Sequence, residues 1–214
     1  PYDTPKLRVR GTGTTEFDLM DDLEELRMAI LDKYSELNAT ELPTSQIGLI
    51  GSDAIQRGID AYGPPNDACY LWTGNQTVSS PTPPFPDLTQ YYSFLRDPAI
   101  TLGKDTNEFI IVYGVNHVAT GKAMYENFVL YGADVWNGVA MINDLDFNGT
   151  AEEYLPDNPN AKYFYVYKFA RNCEGDPHCI EVPYDMGAYG IDLDQPVFIA
   201  WRMYMEPATK TGPS

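Results

Sequence analysis

General-base chemistry near neutral pH needs an imidazole, and this chain of 214 residues has two, His117 and His178. His117 lies in Asn116-His117-Val118-Ala119-Thr120-Gly121-Lys122, a polar insert within the apolar stretch 108–132. A histidine at the end of a buried strand suits a general base or a ligand. Lys122 would neutralise an anion there, and Asn116 and Thr120 would donate hydrogen bonds to it, with Tyr125 close behind. The candidate catalytic set is therefore His117, Lys122, Asn116 and Thr120. The competing reading is a turn whose polar groups satisfy one another, the commoner use of Asn and Thr in such places. Gly121-Lys122 ends like a phosphate loop, but Gly114 lies too far back and Ala123 stands where Ser or Thr would hold magnesium. A nucleotide site is not expected.

Other chemistries are poorly represented. The chain has no G-x-S-x-G step. A Ser-His-Asp triad would have to use His117 or His178. A pair of carboxylates acting on a glycoside is compatible with 31 acidic residues, although sequence does not give their separation. Asp144-Leu-Asp146-Phe-Asn148-Gly149 matches the opening of a calcium loop, in which oxygens at alternate positions converge. Asp144, Asp146 and Asn148 are thus the candidate metal ligands, for calcium. The bidentate Glu of a full loop is replaced by Leu155, and Glu152 and Glu153 come too early. Cys173, Asp176, His178 and Cys179 offer zinc-type donors, but no C-x-x-C pair accompanies them. A small disulfide loop fits NCEGDPHC better. Cys69 is then the odd cysteine, an apolar residue or an alternative partner.

Composition narrows the partners. A formal charge of −17, from 31 acids against 14 bases, opposes nucleic acid and anionic membrane surfaces, both of which call for basic residues. No run approaches the roughly 18 apolar residues of a membrane span. An apolar fraction of 43% supports a real core. The paired cysteines and the sequons at Asn38, Asn75 and Asn148 favour an extracellular or secretory-route protein. A start at Pro1 without Met reads as a processed or trimmed chain.

The elements that must hold these residues follow from periodicity. Met20, Leu23, Leu26, Ile30, Tyr34 and Leu37 recur at helical spacing after a Thr15 or Asp18 cap, and Asp21, Asp22, Glu24 and Glu25 crowd the dipole-positive end. The acid run reads as a solvated helix start. A second short helix is expected over 52–63, and a strand over 68–74. Residues 75–86, NQTVSSPTPPFP, read as a surface loop or internal linker. Strands are expected over 108–117, 128–131, 136–142, 161–170, 179–184 and 197–205. The first should be a central strand, apolar on both faces. The aromatic row of AKYFYVYKFA, with Trp136 and Trp201, suits sugar stacking or, more commonly, core.

Helices first and strands later predict an α+β fold: N-terminal helices packed on a predominantly antiparallel β-sheet or sandwich formed mainly by residues 105–205, in a single domain over 1–214. The functional expectation is a secreted or lumenal acidic module for binding or assembly, its partner a carbohydrate or a protein. The alternatives are a cofactor-independent hydrolase or lyase with a site around Asn116–Tyr125, and a calcium-stabilised extracellular module.

Overall fold

The computed structural model describes residues 14–42, 44–46, 68–73, 100–134 and 136–206. The helix expected over 52–63 and the loop at 75–86 lie outside them.

Helix α1 spans Met20–Lys33. Leu19, Leu26 and Ile30 are buried, and Leu23 and Tyr34 pack beside them, as one apolar stripe requires. Met20 departs from the expected stripe and is 58% exposed. A 3-10 turn at Phe17–Leu19 feeds the helix, so Leu19 takes the first buried place and its neighbour points away. Thr15 and Asp18 do not cap α1, whose N-cap is Leu19 with no side-chain bond; they bond to each other where the chain enters the 3-10 turn. The Thr15 N–H donates to Asp18 Oδ2 at 2.8 Å, and the Asp18 N–H donates back to Thr15 Oγ1 at 3.4 Å. The acid run does more than face water. Asp22 accepts from the Asn158 and Asn160 amides at 2.7 and 2.8 Å, and Glu25 accepts from Asn158 at 2.9 Å. These bonds tie the helix to the segment preceding a core strand.

The described strands are β1 (Thr44–Gln46), β2 (Ala68–Thr73), β3 (Phe109–Val115), β4 (Ala123–Gly132), β5 (Gly138–Asn143), β6 (Phe164–Ala170), β7 (Cys179–Glu181) and β8 (Val197–Met205). They form a five-stranded sheet in the order β1-β2-β8-β4-β5 and a three-stranded sheet in the order β3-β6-β7. Among the described strands, only β6 and β7 run parallel. Leu130, Ile142 and Ile199 of the larger sheet meet Val112, Tyr165 and Phe169 of the smaller one in the main core. The opposite face of the smaller sheet presents Val115, Phe164 and Val166 to Leu19, Leu26 and Ile30. The result is a helix laid on a two-sheet sandwich, the α+β arrangement expected.

β3 is apolar on both faces, as its composition predicts, with Val112 in one core and Val115 in the other. Among the described strands, however, it is an edge by hydrogen bonding, and β6 is the middle strand. Apolar faces report what lies above and below a strand, not what lies beside it. β3 pairs with β6, while β4 pairs with β5 and β8. The polar insert at 116–122 is therefore no hairpin turn. It carries the chain from one sheet to the other.

Two polar residues fasten the sandwich. Buried Arg171 donates to the carbonyls of Leu102, Val182, Pro183 and Asp192 at 3.0, 3.2, 2.9 and 3.3 Å. Thr150, fully buried, donates its hydroxyl to the Phe147 carbonyl at 2.9 Å and accepts the Val166 N–H at 3.0 Å. Thr150→Val keeps the shape and strands a buried N–H. It should cost about 1–3 kcal/mol, whereas Thr150→Ser should cost less because it keeps both bonds. Urea denaturation of the two variants checks this; equal losses would contradict it.

Candidate functional site

The crossing between β3 and β4 gathers the residues singled out by their chemistry. The Asn116 N–H donates to the Tyr163 carbonyl at 2.7 Å. Its side-chain Oδ1 accepts the Ala119 N–H three residues on at 2.8 Å, a cap that curls the chain back. The Thr120 N–H donates to the Asn116 carbonyl at 3.1 Å, and its hydroxyl donates to the His117 carbonyl at 3.2 Å. That same carbonyl takes the N–H groups of Lys122 and Ala123 at 2.8 and 3.0 Å. Gly121 sits at φ +77°, a backbone state that glycine adopts without strain and that lets the crossing close on itself. Asn116, His117 and Thr120 are all buried.

Beneath the crossing lies Glu126, which sequence reasoning missed. It is fully buried on β4 and its Oε2 accepts the His117 N–H at 2.8 Å. Burial pushes its carboxyl up to about 8, and the Asp144 carboxylate adds to that effect. The His117 N–H, and after it the Trp201 indole and the Val118 N–H, pull the other way, but burial outweighs them. The indole lies near without closing a well-shaped hydrogen bond, so Oε1 and the Trp201 Nε1 are both buried and unmatched. At neutral pH the acid holds its proton. The signal for Glu126 was present in the sequence: it shares strand parity with Phe128 and Leu130, which face the core.

The His117 ring lies tilted against Trp201, with centroids 5.8 Å apart. Its Nε2 is 3.4 Å from Glu16 Oε1, on the segment that leads into α1. Burial pushes the imidazole down to about 4, so at neutral pH the ring is uncharged and the Glu16 contact is not an ion pair. Burial also raises the Glu16 carboxyl. Lys122 joins the crossing through its backbone. Its ammonium acts on Asp18, whose carboxyl is held low mainly by hydrogen bonds from Thr15, with Lys122 adding to them. Tyr125 lies opposite Tyr204 on β8, with ring centroids 5.8 Å apart. The structure thus unites Asn116, His117 and Thr120 and adds Glu16, Glu126 and Trp201. Trp201 and Tyr165 are core residues, not part of an exposed aromatic row.

The other candidates are placed as follows. Asp146 Oδ2 accepts the Asn143 N–H at 2.9 Å, and the Asp146 N–H donates to the Asn143 carbonyl at 2.8 Å. Asp144 Oδ1 faces the Glu126 N–H at 3.5 Å, and Asn148 is exposed. Among the described residues, no three His, Cys, Asp or Glu side chains converge as a metal set. Cys173 and Cys179 are joined as a disulfide, with Cα atoms 5.6 Å apart. Asp176 pairs with Lys168 at 2.8 Å and accepts the His178 N–H at 2.9 Å. Cys69 lies on β2 opposite Met203. No described helix is long and apolar enough to cross a membrane.

Comparisons with protein-family models, with curated proteins and with solved structures find no significant match to this chain.

Two outcomes are expected. Glu126 binds its proton more tightly folded than unfolded, so its contribution to stability is full below its ordinary value of 4.5 and lost as pH rises through about 8. His117 has the opposite sign. Its contribution is present above 6.5 and lost as pH falls through about 4. Glu126→Gln, which cannot ionise, should match the parent near pH 4.5 and exceed its stability near pH 8.5 by on the order of a few kcal/mol. Urea denaturation at both pH values measures this; a loss equal at both would contradict it. Asp146→Ala should cost roughly 1 kcal/mol in EDTA and in calcium alike, because it removes the acceptor for the Asn143 N–H. A loss appearing only with calcium present would assign the turn to a metal.

Proposed function

We propose that this chain is a binding or assembly module of an extracellular or secretory-route compartment, with a protein or a carbohydrate as partner. The observation that carries this reading is the enclosure of His117. Its ring is buried, uncharged at neutral pH and packed on Trp201, and its outer nitrogen is covered by Glu16. Asn116 and Thr120, the other hydrogen-bonding groups of the crossing, bond to backbone within it. Groups used in this way hold a corner and are not offered to a substrate. The disulfide between Cys173 and Cys179 supports an oxidising compartment. Asn38 and Asn148 are exposed, as glycan acceptors need to be, and Asn75 lies outside the described residues. Thr150 of the Asn148 sequon is buried, so a glycan there must be attached before the sandwich closes.

One observation favours a second reading, a cofactor-independent hydrolase or lyase at the same crossing. A buried carboxyl pushed up to about 8, bonded to the backbone N–H of a histidine at the same crossing, is a shifted acid of the kind that acid–base catalysis uses. Glu126 would then hold the proton to be given and His117 would accept one. The two readings part on turnover. The purified chain should convert no glycan, ester or phosphate substrate. Turnover that His117→Ala abolishes, with the circular dichroism spectrum unchanged, would sink the binding reading and establish the second.

A further inference from the structure

The loop between β7 and β8 is fixed at its base and bare at its apex. At the base, Val182 and Ile191 are buried, and the Ile191 N–H donates to the Pro183 carbonyl at 3.0 Å. Arg171 clasps the carbonyls of Val182, Pro183 and Asp192. From the other side, the Asn137 amide donates to the carbonyls of Ala188 and Gly190 at 3.3 and 3.0 Å. Above these anchors, residues 185–189 are all exposed. Met186 is 57% exposed and Tyr189 80%. Asp185 and Gly187 are left-handed, at φ 56° and 57°, and a Cβ on Gly187 would meet nothing within 4 Å. The apex therefore projects into open solvent.

A left-handed Asp costs on the order of 1 kcal/mol, and the large apolar side chains at the apex are left largely in water. Bonds from Arg171 and Asn137 hold the conformation all the same. Backbone strain held in place beneath a displayed Tyr and Met is preorganisation for a contact, because little ordering remains to be lost on binding. Tyr is a rigid anchor and Met adapts to the surface it meets.

We infer that Met186 and Tyr189 form a docking knob for a protein partner that supplies an apolar pocket with a basic rim. The inference rests on the binding reading above and names its surface. Shape decides the partner class. Small ligands need a concave site, and a projecting apex cannot enclose one, so the cavity must belong to the partner. Charge sets the rim. Asp185 is on the apex, and Asp192 and Asp194 follow it on the descending stem, which favours Lys and Arg opposite them and opposes anionic lipid.

The test uses the full chain, immobilised, against a random peptide library displayed on phage. Enriched peptides should combine aromatic or aliphatic residues with Lys or Arg. Their affinity should fall roughly 30-fold or more for Met186→Ser/Tyr189→Ser, the scale of a hot spot. Asn137→Ala should weaken them several-fold and speed amide exchange across 184–190, as expected of a positioning residue. Enriched peptides that bind the double variant as well as the parent would overturn the site. If Tyr204→Ser abolishes their binding instead, the binding reading stands and the knob falls. Phosphatidylcholine vesicles or a neutral polysaccharide bound through Met186 and Tyr189 would overturn the partner class. No enrichment and no such binding would overturn the inference and weaken the binding reading with it.

Discussion

The sandwich depends on how the chain passes from one sheet to the other, and that passage hangs on one hydrogen bond. The His117 N–H, at the end of the smaller sheet, donates to the buried carboxyl of Glu126 in the larger one. An ionised carboxylate in that position would carry an uncompensated charge out of water, at a cost of several kcal/mol. A protonated one keeps an acceptor for the N–H without the charge. The rest of the crossing is arranged around this bond. Asn116 curls the backbone, the His117 carbonyl collects three donors, and the imidazole lies over Trp201. The segment bearing Glu16 and the Thr15–Asp18 pair closes the outside and runs directly into the 3-10 turn and α1. Helix, crossing and both sheets therefore share one polar centre.

The architecture was legible to the extent that it follows from periodicity. The helical spacing of Leu23, Leu26 and Ile30 and the two apolar faces of β3 and β6 report burial, and burial is what they have. Lateral order was not legible. An edge strand covered on both faces has the same composition as a central one, so β3 looked central, whereas among the described strands β6 is. The insert at 116–122 was recognised as a polar turn between buried strands, but whether its flanks pair with each other depends on partners far away in sequence. Met20 fell outside its stripe because a 3-10 turn shifted the helix start by one residue.

The site was half legible. Asn116, His117 and Thr120 were found because polar residues interrupt an apolar stretch. Glu126 was missed because a lone Glu among strand residues normally marks a solvent face, and only its parity with Phe128 and Leu130 places it inside. Glu16 could not be found, since its contact with His117 spans a hundred residues of chain. The Cys173–Cys179 pairing was legible because its short spacing already limits the geometry. The division of labour that results is physical. Asn116 and Thr120 bond to backbone within the crossing, while Met186 and Tyr189, between β7 and β8, are exposed on a loop bonded by Arg171 and Asn137.

The most direct test of the buried centre is a ¹³C NMR titration of the Glu126 side-chain carboxyl in the intact protein. A structural crossing built on a neutral acid predicts a carboxyl that is protonated at pH 7 and titrates near 8. The His117 amide should shift with it and exchange slowly below that pH. A Glu126 carboxyl ionised at pH 7 and titrating near its ordinary 4.5, with a rapidly exchanging His117 amide, would contradict the account.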